Sequence, residues 1–319
     1  MLNPDAAVPS NAKIFVAEGS DFLGRALARG LRGLGFQNIA VGAVSALDLR
    51  EKDQVNAYFE AELPDVVFLI STRLDGPAST LASPAQWLHD SLLGLSNVVH
   101  ASYLYEVRKL VCVDCNSTFL DLAAPPPDAG SGWHELLEET QRASLAASHA
   151  TSELCDSYRR QYACDFLTAV TSGLYGPGLH FGPGAASVVP ALVQGVLRAK
   201  LAGEERVLLP GGASWRRELL YLDDVAQACV FLAEQVSEAG AIHVGSGRAY
   251  TLLELADAVR SALAYEGHFE LDERTPRAAV RGAFRADMLA ARGWQPTVPL
   301  HEGLERTGQW YLQRHLAFE

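Results

Sequence analysis

The sequence predicts an α/β fold with a doubly wound parallel sheet and a smaller C-terminal lobe. Short β-rich runs alternate with longer helical patterns in the first half of the chain, and one of these runs is apolar throughout. After residue 171 the texture changes to turns rich in Gly and Pro. The 319 residues also exceed the usual size of one domain, which is about 100–200 residues, so we expect two lobes in one chain.

The first half begins with a strand, a helix and two further strands. Residues 13–17 form a short β-rich run, and residues 21–34 predict a helix because Leu23, Leu27 and Leu31 recur at helical spacing. Residues 38–41 begin the second strand. The third strand, residues 65–70, is apolar after its first residue, which is typical of a strand covered on both faces.

Two long helices and two more strands complete this half. Residues 83–105 predict a helix with Ser83 as its N-cap and Pro84 at its first helical position. The fourth strand covers residues 109–114, the second long helix residues 133–162 and the fifth strand residues 165–171. This is the order of a dinucleotide-binding domain, whose ligand crevice lies at the carboxyl ends of the strands.

The second half contains short elements between Gly- and Pro-rich turns, with amphipathic helices at residues 187–201, 252–265 and 300–316. Loops of this kind can shape a pocket, so we interpret this half as the substrate-binding lobe. We predict a Rossmann-like dinucleotide-binding domain at residues 11–171 plus about 213–236. The substrate-binding lobe is predicted at residues 172–212 plus about 237–319, after a flexible N-terminus at residues 1–10.

The charge of the chain limits its partners. There are 38 Asp and Glu residues against 26 Lys and Arg, which gives a formal net charge of −12. Nucleic acids and anionic membranes attract basic surfaces, so neither is an expected partner. The N-terminus lacks the basic start and apolar stretch of a secretion signal, and no apolar run approaches the roughly 20 residues of a membrane span. We therefore expect a cytoplasmic protein.

The five cysteines do not suggest a disulfide framework in a chain of this length. Cys112 and Cys115 have C-x-x-C spacing, but they fall at a predicted strand, where residues three apart point to opposite faces. We interpret them as buried thiols and predict no metal site.

Several motifs together carry a family resemblance. They are Leu154-Cys-Asp-Ser-Tyr-Arg-Arg-Gln-Tyr162, Leu174-Tyr-Gly-Pro177, Val188-Val-Pro-Ala-Leu192, Arg217-Glu-Leu-Leu-Tyr-Leu-Asp-Asp224, Val244-Gly-Ser-Gly247 and Gly293-Trp294. On these motifs the sequence resembles the extended short-chain dehydrogenase/reductases, and within them the GDP-L-fucose synthases, from Lys13 to about Arg314. The resemblance implies an NAD(P)-dependent epimerase/reductase that acts on a nucleotide sugar.

The cofactor loop departs from the pattern of that family, which is G-x-x-G-x-x-G. Glu18, Asp21 and Gly24 stand at the three glycine positions, with Gly19 beside the first. Carboxylates near a pyrophosphate repel it, although Gly19 restores some flexibility and Asp21 has an alternative role as the cap of the first helix. The arginines that the resemblance implies for NADP are missing as well. We therefore assign no firm cofactor, and NAD or NADP enters only if the protein is an active enzyme.

The catalytic positions are also changed. The resemblance implies a Tyr-x-x-x-Lys pair on the second long helix, and Ser144 and Ser148 occupy these two positions. A serine hydroxyl has no useful ionisation near neutral pH without an activating base. At the end of the fourth strand, Cys115 replaces the family's serine and Ser117 replaces its acid/base cysteine. No part of the family's proton relay is therefore expected to be intact.

The lysines offer no replacement for the missing one. The chain has four: Lys13, Lys52, Lys109 and Lys200. The single Tyr-x-x-x-Lys sequence is Tyr105 to Lys109, which straddles the start of the fourth strand. This is the end of the strand away from the expected crevice, so we interpret the match as accidental.

The substrate side keeps more of the family's residues. Arg217 matches the arginine that binds the nucleotide phosphate, and Arg281 matches a second arginine near the sugar. Val189, Pro190 and Leu192 match the wall around the base. An arginine suits a diphosphate because its planar fork donates two hydrogen bonds at once.

Two alternatives to ligand binding remain open here. Arg217 has a structural alternative, an ion pair with Glu218 or Asp223. We interpret Asp223 and Asp224 as a helix N-cap, since one carboxylate pair is thin evidence for a metal.

These observations lead to two main hypotheses. The first is a catalytically silent relative that acts as a binding, regulatory or scaffold subunit and retains a nucleotide or nucleotide sugar. By resemblance, it forms a homodimer, or a heterodimer with an active paralogue, through the helices at residues 83–105 and 133–162. The second is an active NAD(P)-dependent nucleotide-sugar epimerase/reductase with atypical catalytic residues. A third hypothesis is delivery of a sugar nucleotide within a glycoconjugate pathway.

Overall fold

The computed structural model describes residues 8–17, 22–42, 47–70, 83–115, 139–179, 188–210, 216–272 and 287–315. The described strands are β1 Ile14–Ala17, β2 Ile39–Val41, β3 Val66–Ile70, β4 Lys109–Asp114, β5 Phe166–Thr171, β6 Gly173–Tyr175, β7 Arg206–Pro210, β8 Arg216–Tyr221, β9 Ala241–Val244, β10 Ala249–Thr251 and β11 His268–Asp272. The described helices are α1 Phe22–Gly33, α2 Lys52–Glu62, α3 Pro84–Leu104, α4 Glu139–Tyr162, α5 Val188–Ala202, α6 Leu222–Gln235, α7 Leu252–Ala262, α8 Asp287–Ala290 and α9 Leu300–His315.

A six-stranded parallel sheet organises the first part of the chain, in the order β2-β1-β3-β4-β5-β9. The residues of β1, β3, β4 and β5 are all buried. Such burial explains why residues 66–70 read as a continuous apolar run instead of an alternating one. The predicted doubly wound parallel sheet is therefore confirmed.

The helices cover this sheet with the faces that the periodicity indicated. On α1, Leu23, Leu27 and Leu31 are buried. Gly30 is the closest point of this packing, because a Cβ atom built there would lie 2.5 Å from the Cβ of Ala226 on α6. The two helices thus approach each other through small residues.

Helix α3 begins at Pro84, as predicted, but Ser83 makes no side-chain capping hydrogen bond. Ser83 therefore occupies the N-cap position that we predicted, without the side-chain bond of a cap. The backbone of Ser83 has a φ of −150° and a ψ of 63°, which lie outside the helical range. Helix α4 is described from Glu139, so the predicted start at residues 133–138 lies outside the described residues.

The second part of the chain contains smaller sheets. Strand β8 pairs in parallel with β6 and antiparallel with β10, while β7 and β11 form a separate parallel pair. Helix α7 begins with a complete capping box, in which Thr251 and Glu254 bond to each other's backbone N–H groups. This box fixes the turn that joins β10 to α7.

The described contacts divide the chain into two compact units. The first comprises residues 1–171 and 225–244, and the second residues 172–224 and 245–319. This division differs from the predicted boundaries at residues 213–224 and 237–244. The reason is strand pairing: β8 joins β6 and β10 in the second unit, whereas β9 extends the parallel sheet in the first. Within the described residues, no helix is long and apolar enough to cross a membrane.

Candidate functional site

Helix α4 carries the two serines that stand at the expected tyrosine and lysine positions. Ser148 is 2 % exposed, and its hydroxyl donates a hydrogen bond of 2.9 Å to the carbonyl oxygen of Ser144. This bond runs one helical turn back along the same helix. The hydroxyl at the lysine position is thus engaged by its own backbone. His149, the next residue, is exposed and lies on another side of the helix.

The carboxyl end of β4 holds Asp114 and Cys115. Asp114 is completely buried, and Cys115 is partly buried just after the strand. Cys112 does not join Cys115. Its sulfur lies instead 3.5 Å from the sulfur of Cys155 on α4, and both thiols are buried. This contact and burial raise the pKa of Cys112 well above its ordinary value. Cys112 is therefore a buried thiol, as predicted, whereas Cys115 is only partly buried.

All four lysines lie in the described part of the chain, and three of them donate to backbone carbonyls. The Nζ atom of Lys13 donates to the carbonyl of Glu62, and that of Lys200 donates to the carbonyl of Leu263. Lys52 is exposed at the start of α2. None of the four stands on helix α4, where the family's lysine is expected.

Lys109 is the first residue of β4 and is buried at the amino end of the sheet, as predicted. Its ammonium group lies 2.9 Å from Asp165 and also donates to the carbonyl of Val236. Burial lowers the pKa of Lys109, while the ion pair with Asp165 opposes this effect. The Nζ atom is thus held at the amino end of the sheet by two acceptors, the carboxylate of Asp165 and the carbonyl of Val236.

Two further donors complete this cluster around Asp165. Arg159 at the end of α4 donates at 2.7 Å, and the hydroxyl of Ser237 donates at 2.8 Å. Burial alone would raise the pKa of Asp165, but the charge and hydrogen bond of Lys109, together with these donors, lower it. We name this group of four residues the Asp165 cluster.

Of the four residues predicted at the cofactor loop, Gly24 lies in the described part of the chain. Gly24 is buried in the first turn of α1, directly after the β1 strand, as a dinucleotide-binding unit requires. Glu18, Gly19 and Asp21 lie outside the described residues, but two of these three are carboxylic acids.

On the substrate side, Arg217 is a partly exposed residue of β8, and its guanidinium donates to the carbonyl of Arg216 at 3.0 Å. The two carboxylates that we considered as structural partners of Arg217 have contacts with other residues as well. The buried Glu218 accepts a hydrogen bond from the N–H of Gly247, and Asp223 lies 3.9 Å from Arg306. Arg217 is thus half-buried near the start of β8, and its guanidinium already has a backbone acceptor.

Asp223 and Asp224 are not the N-cap that we predicted. Helix α6 begins at Leu222, so both residues belong to its first turn. The carboxylate of Asp224 is buried and accepts hydrogen bonds from Thr297 at 2.7 and 2.9 Å and from Val298 at 3.3 Å. It holds a loop of the second unit. Within the described residues, no cluster of acidic, His or Cys residues could hold a metal ion.

The remaining predicted binding residues lie on α5 or outside the described part of the chain. Val189, Pro190 and Leu192 are buried in α5, with Val189 completely enclosed. Arg281 and Ser117 lie outside the described residues. The sequence interpretation also missed two residues, Arg248 and Tyr250, whose relation to Arg217 depends on strand pairing. The guanidinium of Arg248 lies over the Tyr250 ring, 4.7 Å from its centroid.

Comparison with known proteins gives a consistent result. Residues 14–245 match the NAD dependent epimerase/dehydratase family. The chain is 33% identical over 303 residues to GDP-L-fucose synthase 1 of Arabidopsis thaliana, a match that covers 95% of this chain and 94% of that protein. It is 28% identical over 318 residues to GDP-L-fucose synthase of Escherichia coli, which covers 97% of this chain and 99% of that protein.

Solved structures agree with this result. A GDP-mannoheptose C4 reductase from Campylobacter jejuni with NADP bound has a TM-score of 0.81 at 25% identity, covering 96% of this chain and 99% of that one. A GDP-L-fucose synthetase from Naegleria fowleri bound to NADP has a TM-score of 0.84 at 19% identity, covering 97% of this chain and 95% of that one. The second likeness supports the fold alone.

Proposed function

Because the chain belongs to the NAD dependent epimerase/dehydratase family, we propose that it binds a GDP-linked sugar through Arg217 but does not reduce or epimerise it. In this proposal it serves as a binding or regulatory subunit. The observation that carries this proposal concerns Ser148, which stands where the family's lysine is expected. Its hydroxyl is buried and donates a hydrogen bond to the carbonyl oxygen of Ser144.

Reduction of a keto sugar needs an acid that the two serines do not supply. A keto sugar is reduced when a hydride reaches its carbonyl carbon and an acid gives a proton to the carbonyl oxygen. The family's tyrosine supplies that proton, and a lysine four residues later lowers the tyrosine's pKa. Serines at positions 144 and 148 provide neither an acid of suitable pKa nor a positive charge. None of the chain's four lysines stands on this helix.

A second candidate function is an active GDP-sugar epimerase/reductase that uses NAD or NADP. The relatives favour it, since several of them are GDP-L-fucose synthases and one structure is a GDP-sugar reductase. Under this alternative, another acid must replace the missing tyrosine. Cys115, at the carboxyl end of β4, and His149 on α4 are the residues to test.

The two candidates are separated by one pair of measurements on the full-length protein. Thermal unfolding is followed with GDP, GDP-mannose, GDP-fucose, NAD and NADP, since a ligand at 100 times its Kd stabilises the fold by about 2.7 kcal/mol. NADPH oxidation is then followed with GDP-4-keto-6-deoxymannose. We expect stabilisation by the GDP compounds and no NADPH oxidation above background.

Two variants test whether the GDP compounds bind through Arg217. Arg217→Gln should abolish the stabilisation by GDP compounds, whereas Arg216→Gln, on the same strand, should keep it. NADPH turnover that disappears in Arg217→Gln but persists in Arg216→Gln would establish the enzyme instead. Self-association, or pairing with an active paralogue, through α3 and α4 remains a prediction.

A further inference from the structure

A groove runs along the outer side of strand β2, between this strand and helix α2. Its volume is about 640 Å³, and its apolar lining includes Ala40, Val41, Leu47 and Ala57. Strand β2 is the end strand of the parallel sheet, since the order begins with β2 and continues to β1. The residues of β2 are half-buried. The first unit thus has an open apolar groove beside an edge strand.

The backbone of β2 offers hydrogen bonds along the same groove. The carbonyl of Asn38 and the N–H of Gly42 bond to β1, so alternate residues of this segment face β1. In a parallel ladder, the residues between them turn their N–H and C=O groups to the other side. These residues are Ile39 and Val41, and no described strand pairs with them there. An added strand would find both donors and acceptors at this edge.

Three polar side chains of α2 border the groove at helical spacing. Gln54, Tyr58 and Glu62 are four residues apart, which places them in one line along the helix. Among the described residues, the Tyr58 hydroxyl and the Glu62 carboxylate form no hydrogen bond or ion pair. Burial and, more weakly, the charge of Glu62 raise the pKa of Tyr58 to about 12. The groove therefore has an apolar floor and a polar border with capacity for a ligand.

The Glu62 end of the groove favours a cation. Glu60 and Glu62 stand in the last turn of α2, which contains no basic residue. A helix C-terminus carries partial negative charge, so two acids there are repelled by it. The ammonium of Lys13 donates to the backbone carbonyl of Glu62 and makes no described ion pair with its carboxylate. A positively charged side chain from a partner would relieve this repulsion.

We propose that the groove binds an extended segment of a partner protein, which pairs with β2 as an additional strand of the sheet. An apolar side chain of the segment lies beside Ala40 and Ala57, and a lysine or arginine two residues away pairs with Glu62. This spacing follows from geometry, because four residues of a helix rise about 6 Å and two residues of a strand extend about 6.6 Å. Side chains two residues apart in a strand share one face, so both reach the groove.

The groove extends away from the expected cofactor position. Helix α2 leads from β2 back to β3, and both strands run parallel to β1, so its last turn lies at the amino ends of the strands. A dinucleotide lies at their carboxyl ends. The partner protein is also an addition to the proposed function, because the groove uses neither Arg217 nor the GDP-linked sugar.

Fluorescence anisotropy of labelled peptides with the full-length protein tests the groove. The probe is the peptide Ser-Thr-Leu-Thr-Lys-Thr-Ser, which has its leucine and lysine at the required spacing. Replacement of its lysine by glutamate should weaken binding about tenfold, because a like charge then faces Glu62. Methylation of its backbone nitrogens should weaken binding about tenfold or more, because the ladder hydrogen bonds are lost.

Variants on α2 locate the binding site. Glu62→Gln should weaken the lysine peptide about threefold, whereas Glu60→Gln removes the same charge from another side of the helix and should change it less. Glu62→Lys should reverse the preference, so that the glutamate peptide binds more tightly than the lysine peptide. Ala57→Phe should abolish binding because the ring fills the groove. Circular dichroism verifies that each variant is folded.

Four results would overturn the proposed groove. The first is that the lysine peptide does not bind. The second is that Glu62→Gln and Glu60→Gln have equal affinities, since the peptide then binds elsewhere. The third is displacement of the peptide by NAD or NADP, which would assign the groove to the cofactor. The fourth is a wild-type dimer that Ala57→Phe dissociates in sedimentation, which would show that a second copy covers β2.

The proposed function is judged by a different measurement. If no GDP compound raises the thermal stability but the lysine peptide binds through Glu62, the proposed function fails and the groove stands. If GDP compounds stabilise the protein and the peptide does not bind, the groove is overturned and the proposed function stands.

Discussion

The two ends of the β4 and α4 pair use their polar residues in opposite ways. At the amino end of β4, the Asp165 cluster joins a buried ammonium, a carboxylate and a guanidinium from distant parts of the chain. At the other end, Ser148 bonds only one turn back along its own helix. Among the described residues, the cluster thus joins charged side chains of distant segments, whereas the Ser148 hydroxyl is held by a local bond.

Among the variants at the two ends, removal of Asp165 should cause the largest loss in the free energy of unfolding. Asp165→Ala leaves the buried Lys109 without its carboxylate, and we expect a loss of about 2–3 kcal/mol in the free energy of unfolding, reduced by the partial exposure of Asp165. Urea denaturation measures the change. The exposed Arg206 and Glu270 pair supplies the control, since Glu270→Gln should change stability by about 0.5 kcal/mol or less. Equal losses in both variants would contradict a structural role for the cluster.

Acid should weaken the same cluster by a smaller amount. The folded protein lowers the pKa of Asp165, so this carboxylate contributes stability above its unfolded pKa, and the contribution is lost as the pH falls through the folded pKa. Lys109, Arg159 and Ser237 face it and stay protonated in this range. Asp165→Asn should therefore be less stable than the wild type near neutral pH, and the difference should shrink from about pH 5 to about pH 3. Urea denaturation across this range checks it, and a constant difference would contradict it.

The smallest effect is expected at the opposite end. Ser148→Ala removes a hydroxyl that bonds only to its own helix, and alanine is the better helix former, so stability should change by about 0.5 kcal/mol or less. The binding of GDP compounds should also be unchanged. A tenfold loss of ligand affinity in this variant, measured by calorimetry, would show that the hydroxyl contacts the ligand and that this end of the helix is still functional.

The architecture was largely predictable from local pattern. Buried apolar runs such as residues 66–70 and the periodic leucines of α1 depend on neighbours in sequence, and these elements were found within one or two residues. Helix α2 was missed because Val55 and Phe59 are its two buried residues, which is a weak periodic signal. The parallel pairing of β7 with β11 was missed because both strands carry polar, exposed residues.

The site was less predictable because it depends on distant pairings. The changes at Ser144 and Ser148 could be found by alignment on the neighbouring motif, whereas the engagement of the Ser148 hydroxyl required the helix geometry. The relation of Tyr250 to Arg217 follows from the register of β8 with β10, which no local pattern encodes. An arginine two residues before a tyrosine, directly after a Gly-Ser-Gly turn, was the available signal.

The hydrogen bond from Lys109 to the carbonyl of Val236 also has a consequence for folding during synthesis. The two residues are 127 positions apart, and the first unit is completed by β9, after the ribosome has made the first part of the second unit. A nascent chain that ends before Val236 therefore contains a lysine destined for burial without one of its two acceptors. The parallel sheet can therefore be completed only late in translation, when the segment of residues 225–244 supplies that carbonyl and the edge strand β9.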